Sequence, residues 1–473
     1  MQSRREFMKQ SSLGMLSLAL SGYAQAGEKI SKKRPNILFL FTDDHRFSAV
    51  NALFDQQVLT PNIDRLVQNG VSFTHAHIMG SMHGAVCMPS RAMLMTGRTL
   101  YHLEDGGKSI PEHHAMLPET LRRHGYKTYG IGKWHNGRSS FNRAFQDGDC
   151  IFFGGMSDHL KVPVYGYDPS GEYNREDETI GSKFSSELFT DAAVEFLNRD
   201  MNSQPFFLYL SYTAPHDPRM APEEFASQYP PDEILLPENF MPEHPFPNGE
   251  LKIRDENLAP FPRTEENTRE HIAAYYAMIS HVDAQIGRVL DALDQSGQAE
   301  NTIIIFAGDN GLAVGQHGLM GKQNLYEHSI RVPLIISGPG IPQGEKRETL
   351  CYLLDLFPTL CEFIDIPTPD SVEGVSFAPV ISAEEQFSRD AVFAAYKDFQ
   401  YMVRTRDDWK LIQYHVNNER YTQLFHLSSD PWELHNLADD PAHADRLKQL
   451  NDLLDKWMLQ YDLSPLPHED SDT

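Results

Sequence analysis

Cysteine, tryptophan and basic residues are all scarce in this chain. Four cysteines in 473 residues are too few for a disulfide scaffold. Lysine and arginine number 41 against 66 acidic residues, a net charge of −25. So acidic a chain excludes nucleic acid as the natural partner. It also means that any anionic ligand must be drawn in by a local cluster of bases. Long hydrophobic runs are lacking as well. The apolar stretch near residues 13–20 is too short to span a bilayer, and no later segment has the length of a membrane helix. Internal repeats and low-complexity segments are absent.

The start of the chain is informative about destination. Arg4 and Arg5 precede the short apolar run, and Ala24-Gln25-Ala26 offers a small-x-small cleavage site. Residues 1–26 therefore read as a bacterial export signal of the twin-arginine type, with a Sec-type signal as the alternative. The expectation is a periplasmic or secreted protein, delivered by export machinery and without a membrane span.

The remainder alternates between strand-like and helix-like segments. Residues 35–41 form a near-continuous apolar run, as expected of a strand buried on both faces. Thr60, Pro61 and Gly70 punctuate a helix. Residues 117–125 predict a short helix and 126–131 a strand. Residues 205–212 predict another strand. Ile272, Tyr276, Ile279, Val282, Ile286, Val289 and Leu293 recur at helical spacing within a long helix over about 269–294. A further strand is expected over 302–306. This order implies an α/β fold with a largely parallel central sheet between helices. Residues 236–263 lack periodicity and predict a long surface connection lining a cleft. Beyond about residue 370 the pattern changes to short antiparallel strands at 401–405, 409–414 and 421–425, then a helix over about 442–461. The expected division is a catalytic domain over 34–370 and a smaller α+β subdomain over 371–473.

The buried strands end in chemically capable residues: Asp43-Asp44, Gly132-Lys133-Trp134-His135, His216-Asp217 and Gly308-Asp309-Asn310-Gly311. The carboxyl edge is where open α/β sheets bind ligands. Asp43, Asp44, Asp309 and Asn310 offer hard oxygens, which suit Ca2+ or Mg2+ rather than zinc. Either motif alone is an ordinary turn. Two of them, each after a buried strand, point to a metal centre. Cys87 begins the remaining motif, Cys87-Met88-Pro89-Ser90-Arg91, followed by Thr96-Gly97-Arg98.

That motif resembles the signature of type I sulfatases, in the alkaline-phosphatase-like superfamily. The resemblance runs from the first strand to Leu424-Phe425-His426-Leu427 and Asn436-Leu437-Ala438, nearly the whole mature chain. It implies that another enzyme converts Cys87 to formylglycine, whose hydrate carries two hydroxyls on one carbon. One would attack sulfur and the second would allow sulfate to be expelled. It implies a Ca2+ ion, with Mg2+ as the alternative, held by Asp43, Asp44, Asp309, Asn310 and the modified Cys87. It also implies that Arg91, Lys133, His135, His216 and Lys322 surround the sulfate. His83, four residues before Cys87, is a further candidate for substrate contact, while Arg98 is expected to brace its helix. The implied substrate is a sulfated saccharide. Choline or aryl sulfates, a phosphate ester, and a non-catalytic sugar-binding role are the rival readings. A cysteine phosphatase is excluded, because Cys-x5-Arg would need arginine at position 93, where Met93 stands. With Cys87 converted, Cys150, Cys351 and Cys361 leave at least one thiol unpaired.

Overall fold

The computed structural model describes residues 34–54, 57–199 and 204–463; the expected export signal at 1–26 lies outside the described residues. The central sheet comprises β1 (Asn36–Thr42), β2 (Gly70–His77), β3 (Lys127–Lys133), β4 (Asp147–Phe152), β5 (Phe206–Ser211), β6 (Thr302–Gly308), β7 (Leu334–Ser337) and β8 (Glu345–Tyr352). Its order is β8-β2-β7-β6-β1-β5-β3-β4. Every pairing is parallel except those of β7, which runs antiparallel to both β6 and β2. The largely parallel sheet expected from the sequence is therefore present.

β1 occupies the middle of the sheet, and all seven of its residues are buried. Ile37, Phe39 and Phe41 face one core with Phe207, Tyr209 and Ile305. Leu38 and Leu40 face a second core, under α3 (Ser185–Leu197) and α4 (Glu265–Gln295), which follow α1 (Pro61–Gln68) and α2 (Cys87–Thr96) in the chain. Strand alternation thus sends each side chain into one of two apolar layers. That is why the strand reads as unbroken hydrophobicity.

α1 begins at Pro61 as expected, but Thr60 does not cap it. Its free N–H groups are met instead by Asp283 of α4, whose carboxylate accepts from Asn62 N and Ile63 N at 3.1 and 2.8 Å. A tertiary contact does the work that a local cap does elsewhere. Gly70 is a strand start rather than only a helix terminator. A Cβ there would lie 2.3 Å from the Ile336 carbonyl oxygen, so β7 can pair closely only with glycine at this position.

The second sheet contains β9 (Ala391–Tyr396), β10 (Gln400–Thr405), β11 (Trp409–Val416) and β12 (Glu419–His426), all paired antiparallel. The two-residue strand Gly80–Ser81 joins its edge in parallel with β9. The C-terminal helix α5 (Ala444–Gln460) covers it with Leu450, Leu454 and Trp457. The region 236–263 holds only a single helical turn, Glu256–Leu258. The described cysteines are all unpaired, with Cys351 and Cys361 fully buried. No helix among the described residues is long and apolar enough to cross a membrane.

Candidate active site

Four strand ends converge on Cys87. β1 delivers Asp43 and Asp44, β6 delivers Asp309 and Asn310, β3 ends at Lys133 with His135 just beyond, and the turn after β5 carries His216. Cys87 is the first residue of α2, so the partially positive helix terminus faces the same point. No acidic residue occupies that first turn. Asp44 and His135 both hold left-handed backbone, with φ of 63° and 71°. Such conformations are costly for residues with a Cβ and are tolerated where the surroundings dictate them. Gly132 permits the tight approach of β3 to β5, since a Cβ would lie 2.0 Å from the Ser211 carbonyl oxygen.

The carboxylates and bases interlock. Lys133 Nζ donates to Asp43 Oδ2 at 2.5 Å and to the Gly155 carbonyl at 2.6 Å, and lies 3.6 Å from Cys87 Sγ. Lys322 Nζ donates to Asp44 Oδ1 at 2.5 Å, and Asn310 Nδ2 donates to the same oxygen at 2.7 Å. Arg91 donates to Asp309 Oδ2 at 2.9 Å and to Ser211 Oγ at 2.6 Å. Despite that network, Asp43 Oδ1, Asp44 Oδ2 and Asn310 Oδ1 have no hydrogen-bond partner among the described residues. Buried acceptors without donors are expensive. These three oxygens fit a hard divalent cation. One oxygen each of Asp43 and Asp309 lies within 4.8 Å of the other and of Cys87 Sγ.

Electrostatics follow from the crowding. Burial, with repulsion from Asp43, pushes the Asp309 carboxyl up to about 7. Burial works in the same direction at Asp44, but His216 and Lys322 outweigh it and hold that carboxyl well below its usual range. Burial, with the nearby Lys133 and Arg91 charges, drives His135 down to about 2, so its imidazole is neutral. Burial also lowers His216, opposed by Asp44. The Cys87 thiol is raised by burial despite the neighbouring lysines. As a thiol, residue 87 would be a poor nucleophile.

A cavity of about 260 Å³ opens over Cys87. Of the residues singled out from sequence, Cys87, His135, His216 and Lys322 line it. Arg91 does not: it is fully buried beneath the carboxylates. Lys133 is equally buried, behind Cys87. His83 turns away, its ring lying over Gly106, and is not part of the wall. Arg98 donates to the carbonyls of His102 and Ser371, bracing the end of α2. His135 Nδ1 is 3.5 Å from Cys87 Sγ. His216 Nδ1 hydrogen-bonds the Asp217 carbonyl at 2.8 Å, which leaves Nε2 facing the site, 3.7 Å from Asp44 Oδ2.

Several wall residues left no signal in the sequence. Ile253, Arg254 and Asp255 come from the aperiodic connection. Arg254 forms a two-toothed bridge to Asp217 at 2.9 and 3.0 Å and also holds Asp255 at 2.6 Å. Asp217 sits beside His216, so this bridge steadies the histidine turn. Asn136, fully buried, donates to the Met88 and Gly107 carbonyls at 2.9 and 2.6 Å and anchors the start of α2. His159 donates through Nε2 to the His216 carbonyl at 2.9 Å.

Residues 35–366 match the sulfatase family model. The chain is a sulfatase. Residues 315–460 also match the model described as N-sulphoglucosamine sulphohydrolase, C-terminal. This sulfatase is 27% identical to an N-acetylglucosamine-6-O-sulfatase of Bacteroides thetaiotaomicron, over 95% of this chain and 90% of that one. It is 29% identical to a choline-sulfatase of Rhizobium meliloti, over 86% of this chain and 83% of that one. Among solved structures it resembles a protein in complex with its substrate D-glucosamine-2-N,6-O-disulfate, with a TM-score of 0.76 at 24% identity, covering 92% of this chain and 99% of that one. A phosphonate monoester hydrolase of Agrobacterium radiobacter shares the fold too, with a TM-score of 0.73 at 22% identity and coverage of 90% and 96%. Membership establishes a sulfuric ester hydrolase. The fold alone is common to sulfate and phosphonate chemistry.

Proposed function

We propose that this sulfatase hydrolyses sulfate esters on a saccharide, using an aldehyde made from Cys87 and a Ca2+ ion bound by Asp43, Asp44, Asp309 and Asn310. The observation that carries the reading is the set of three buried oxygens without hydrogen-bond donors at the strand ends that meet Cys87, which itself lines a cavity with Lys322, His135 and His216. When present, the aldehyde hydrate would supply the oxygen nucleophile and the cation would offset charge on the sulfate oxygens.

The chain's own residues do the rest. Lys322, buried yet lining the cavity, places a cation where sulfate must enter. Lys133 adds a second cation from behind Cys87. Arg91 fixes the orientation of Asp309. His216 exchanges a proton with the leaving oxygen through Nε2, because Nδ1 is committed to the Asp217 carbonyl. His135 is placed to take a proton from residue 87.

A saccharide suits the cavity. Met156 and Ile253 form an apolar flank, whereas Arg254, Asp255 and Gln323 form a polar one. A sugar ring likewise presents C–H groups on one face and hydroxyls at its rim. The relatives' names support the same class. Residues 34–370 would form the catalytic domain and 371–473 the accessory subdomain. Periplasmic or secreted delivery rests on the paired arginines of the leader. A maturation enzyme would act on Cys87 before or during export.

The test is kcat/KM of matured enzyme on defined sulfated saccharides beside choline sulfate, an aryl sulfate and a phosphate monoester. Highest efficiency on one saccharide is expected. Superior hydrolysis of choline or aryl sulfate would overturn the substrate class, and superior phosphate hydrolysis would overturn the ester class.

A further inference from the structure

We propose that Glu104, His113 and His114 bind a second divalent metal, of the zinc class, through one carboxylate oxygen and two imidazole nitrogens. Both Nε2 atoms converge on Glu104 Oε1, at 2.8 Å from His113 and 3.7 Å from His114. The three ligand atoms all lie within 4.8 Å of one another. Zinc–ligand bonds of about 2.0–2.1 Å at tetrahedral angles set donors about 3.3 Å apart. The observed separations bracket that spacing.

A hydrogen-bond account covers only half of this arrangement. His113 can bond Oε1 at 2.8 Å, but 3.7 Å is too long for His114. The His114 ring nevertheless points at the same oxygen, with its side chain only 5% exposed. A neutral imidazole has a lone pair to give. Two imidazoles and one carboxylate, with a fourth position open to water, form a donor set suited to Zn2+ rather than Ca2+.

The site would clip a loop that flanks the catalytic helix. Gly107, three residues after Glu104, packs so tightly on α2 that a Cβ would lie 2.7 Å from Ala92 Cβ. The Gly107 carbonyl accepts from Asn136, which also holds Met88 next to Cys87. The His114 carbonyl accepts from Arg143 at 3.1 Å. Joining Glu104 to His113 and His114 would therefore close the loop between two anchored points and stabilise it.

The test is calorimetric titration of the Ca2+-saturated Cys87→Ala chain with Zn2+, the alanine removing a competing thiol. One Zn2+ per chain is expected, with a rise in Tm. The same chain carrying Glu104→Gln and His113→Ala should bind ~10-fold more weakly or not at all, with an unchanged Tm in EDTA. Both altered residues are more than half exposed, so the fold should tolerate them. Equal Zn2+ affinity in the two chains, or none in either, would overturn the site. Because no turnover is measured, failure here leaves the sulfatase reading unaffected, and failure of that reading leaves this one standing.

Discussion

Among the described residues, two buried clusters of charge are built differently. One surrounds Cys87: Asp43, Asp44 and Asp309 against Arg91, Lys133 and Lys322. The other joins the two sheets: Glu327 and Glu433 against Arg404 and Lys410. Glu327 receives Lys410 at 3.0 Å on one oxygen and Arg404 at 2.5 Å on the other. Glu433 lies 2.7 Å from Lys410 Nζ and accepts from Glu327 N at 2.8 Å. Both oxygens of Glu327 accept from protein donors, while Glu433 Oε1 is met only by the ion pair with Lys410. Around Cys87 three cations face three carboxylates, yet two carboxylate oxygens and one amide oxygen are left without donors. Burial and charge alone do not distinguish a site from a strut. The difference lies in how many acceptors stay without a hydrogen-bond donor: Asp43 Oδ1, Asp44 Oδ2 and Asn310 Oδ1 around Cys87, against Glu433 Oε1 in the other cluster.

Substitution should separate the clusters. Cys87→Ala should reduce sulfate release to background while leaving Tm unchanged, by kinetics beside a thermal melt. Retained turnover would break the assignment of residue 87. Next in size, Asp44→Asn should weaken Ca2+ binding and lower kcat, because it removes a carboxylate already held ionised by His216 and Lys322. Glu327→Gln should leave Ca2+ affinity unchanged, by calorimetry on both proteins.

The reverse holds for stability. Glu327→Gln leaves Arg404 and Lys410 under-compensated and should cost about 3–5 kcal/mol by denaturant unfolding. Its kcat per folded molecule should stay near wild type. If that variant lost activity without losing stability, the structural reading of the second cluster would fail.

A smaller effect concerns acid. His281 has a side chain 1% exposed, and burial holds its imidazole down to about 4, below the ordinary 6.5. The unfolded chain takes up this proton first, so stability is full above about 6.5 and falls as pH drops towards about 4. His281→Phe should flatten Tm against pH in that window; an unaltered slope would remove His281 from the acid response. Smallest of all, Arg254→Lys keeps the charge but loses the two-toothed grip on Asp217. A fall in kcat with a shifted pH profile is expected, and a change confined to KM would assign Arg254 to substrate contact instead.

Much of this was legible in the sequence, for physical reasons. β1 and β6 are buried on both faces and read as apolar runs, and their ends mark Asp43, Asp44, Asp309 and Asn310. β8 was not legible. Its first half, Glu345–Glu348, is polar and largely exposed at the sheet edge. β2 was hidden by Thr74 and His75, which interrupt its apolar pattern and are partly exposed. In the site, motif order located Cys87 but not the direction of each neighbour. Arg91 faces inward to Asp309, and His83 faces Gly106. Ile253, Arg254 and Asp255 had no periodicity to reveal them, because a cavity wall built from a loop obeys no repeat.

Activity depends on what residue 87 becomes. The most direct measurement sets kcat against the fraction of chains in which peptide mass spectrometry finds an aldehyde at position 87, across preparations matured to different extents. It predicts a straight line through the origin. Sulfate ester turnover in fully unconverted protein would contradict it.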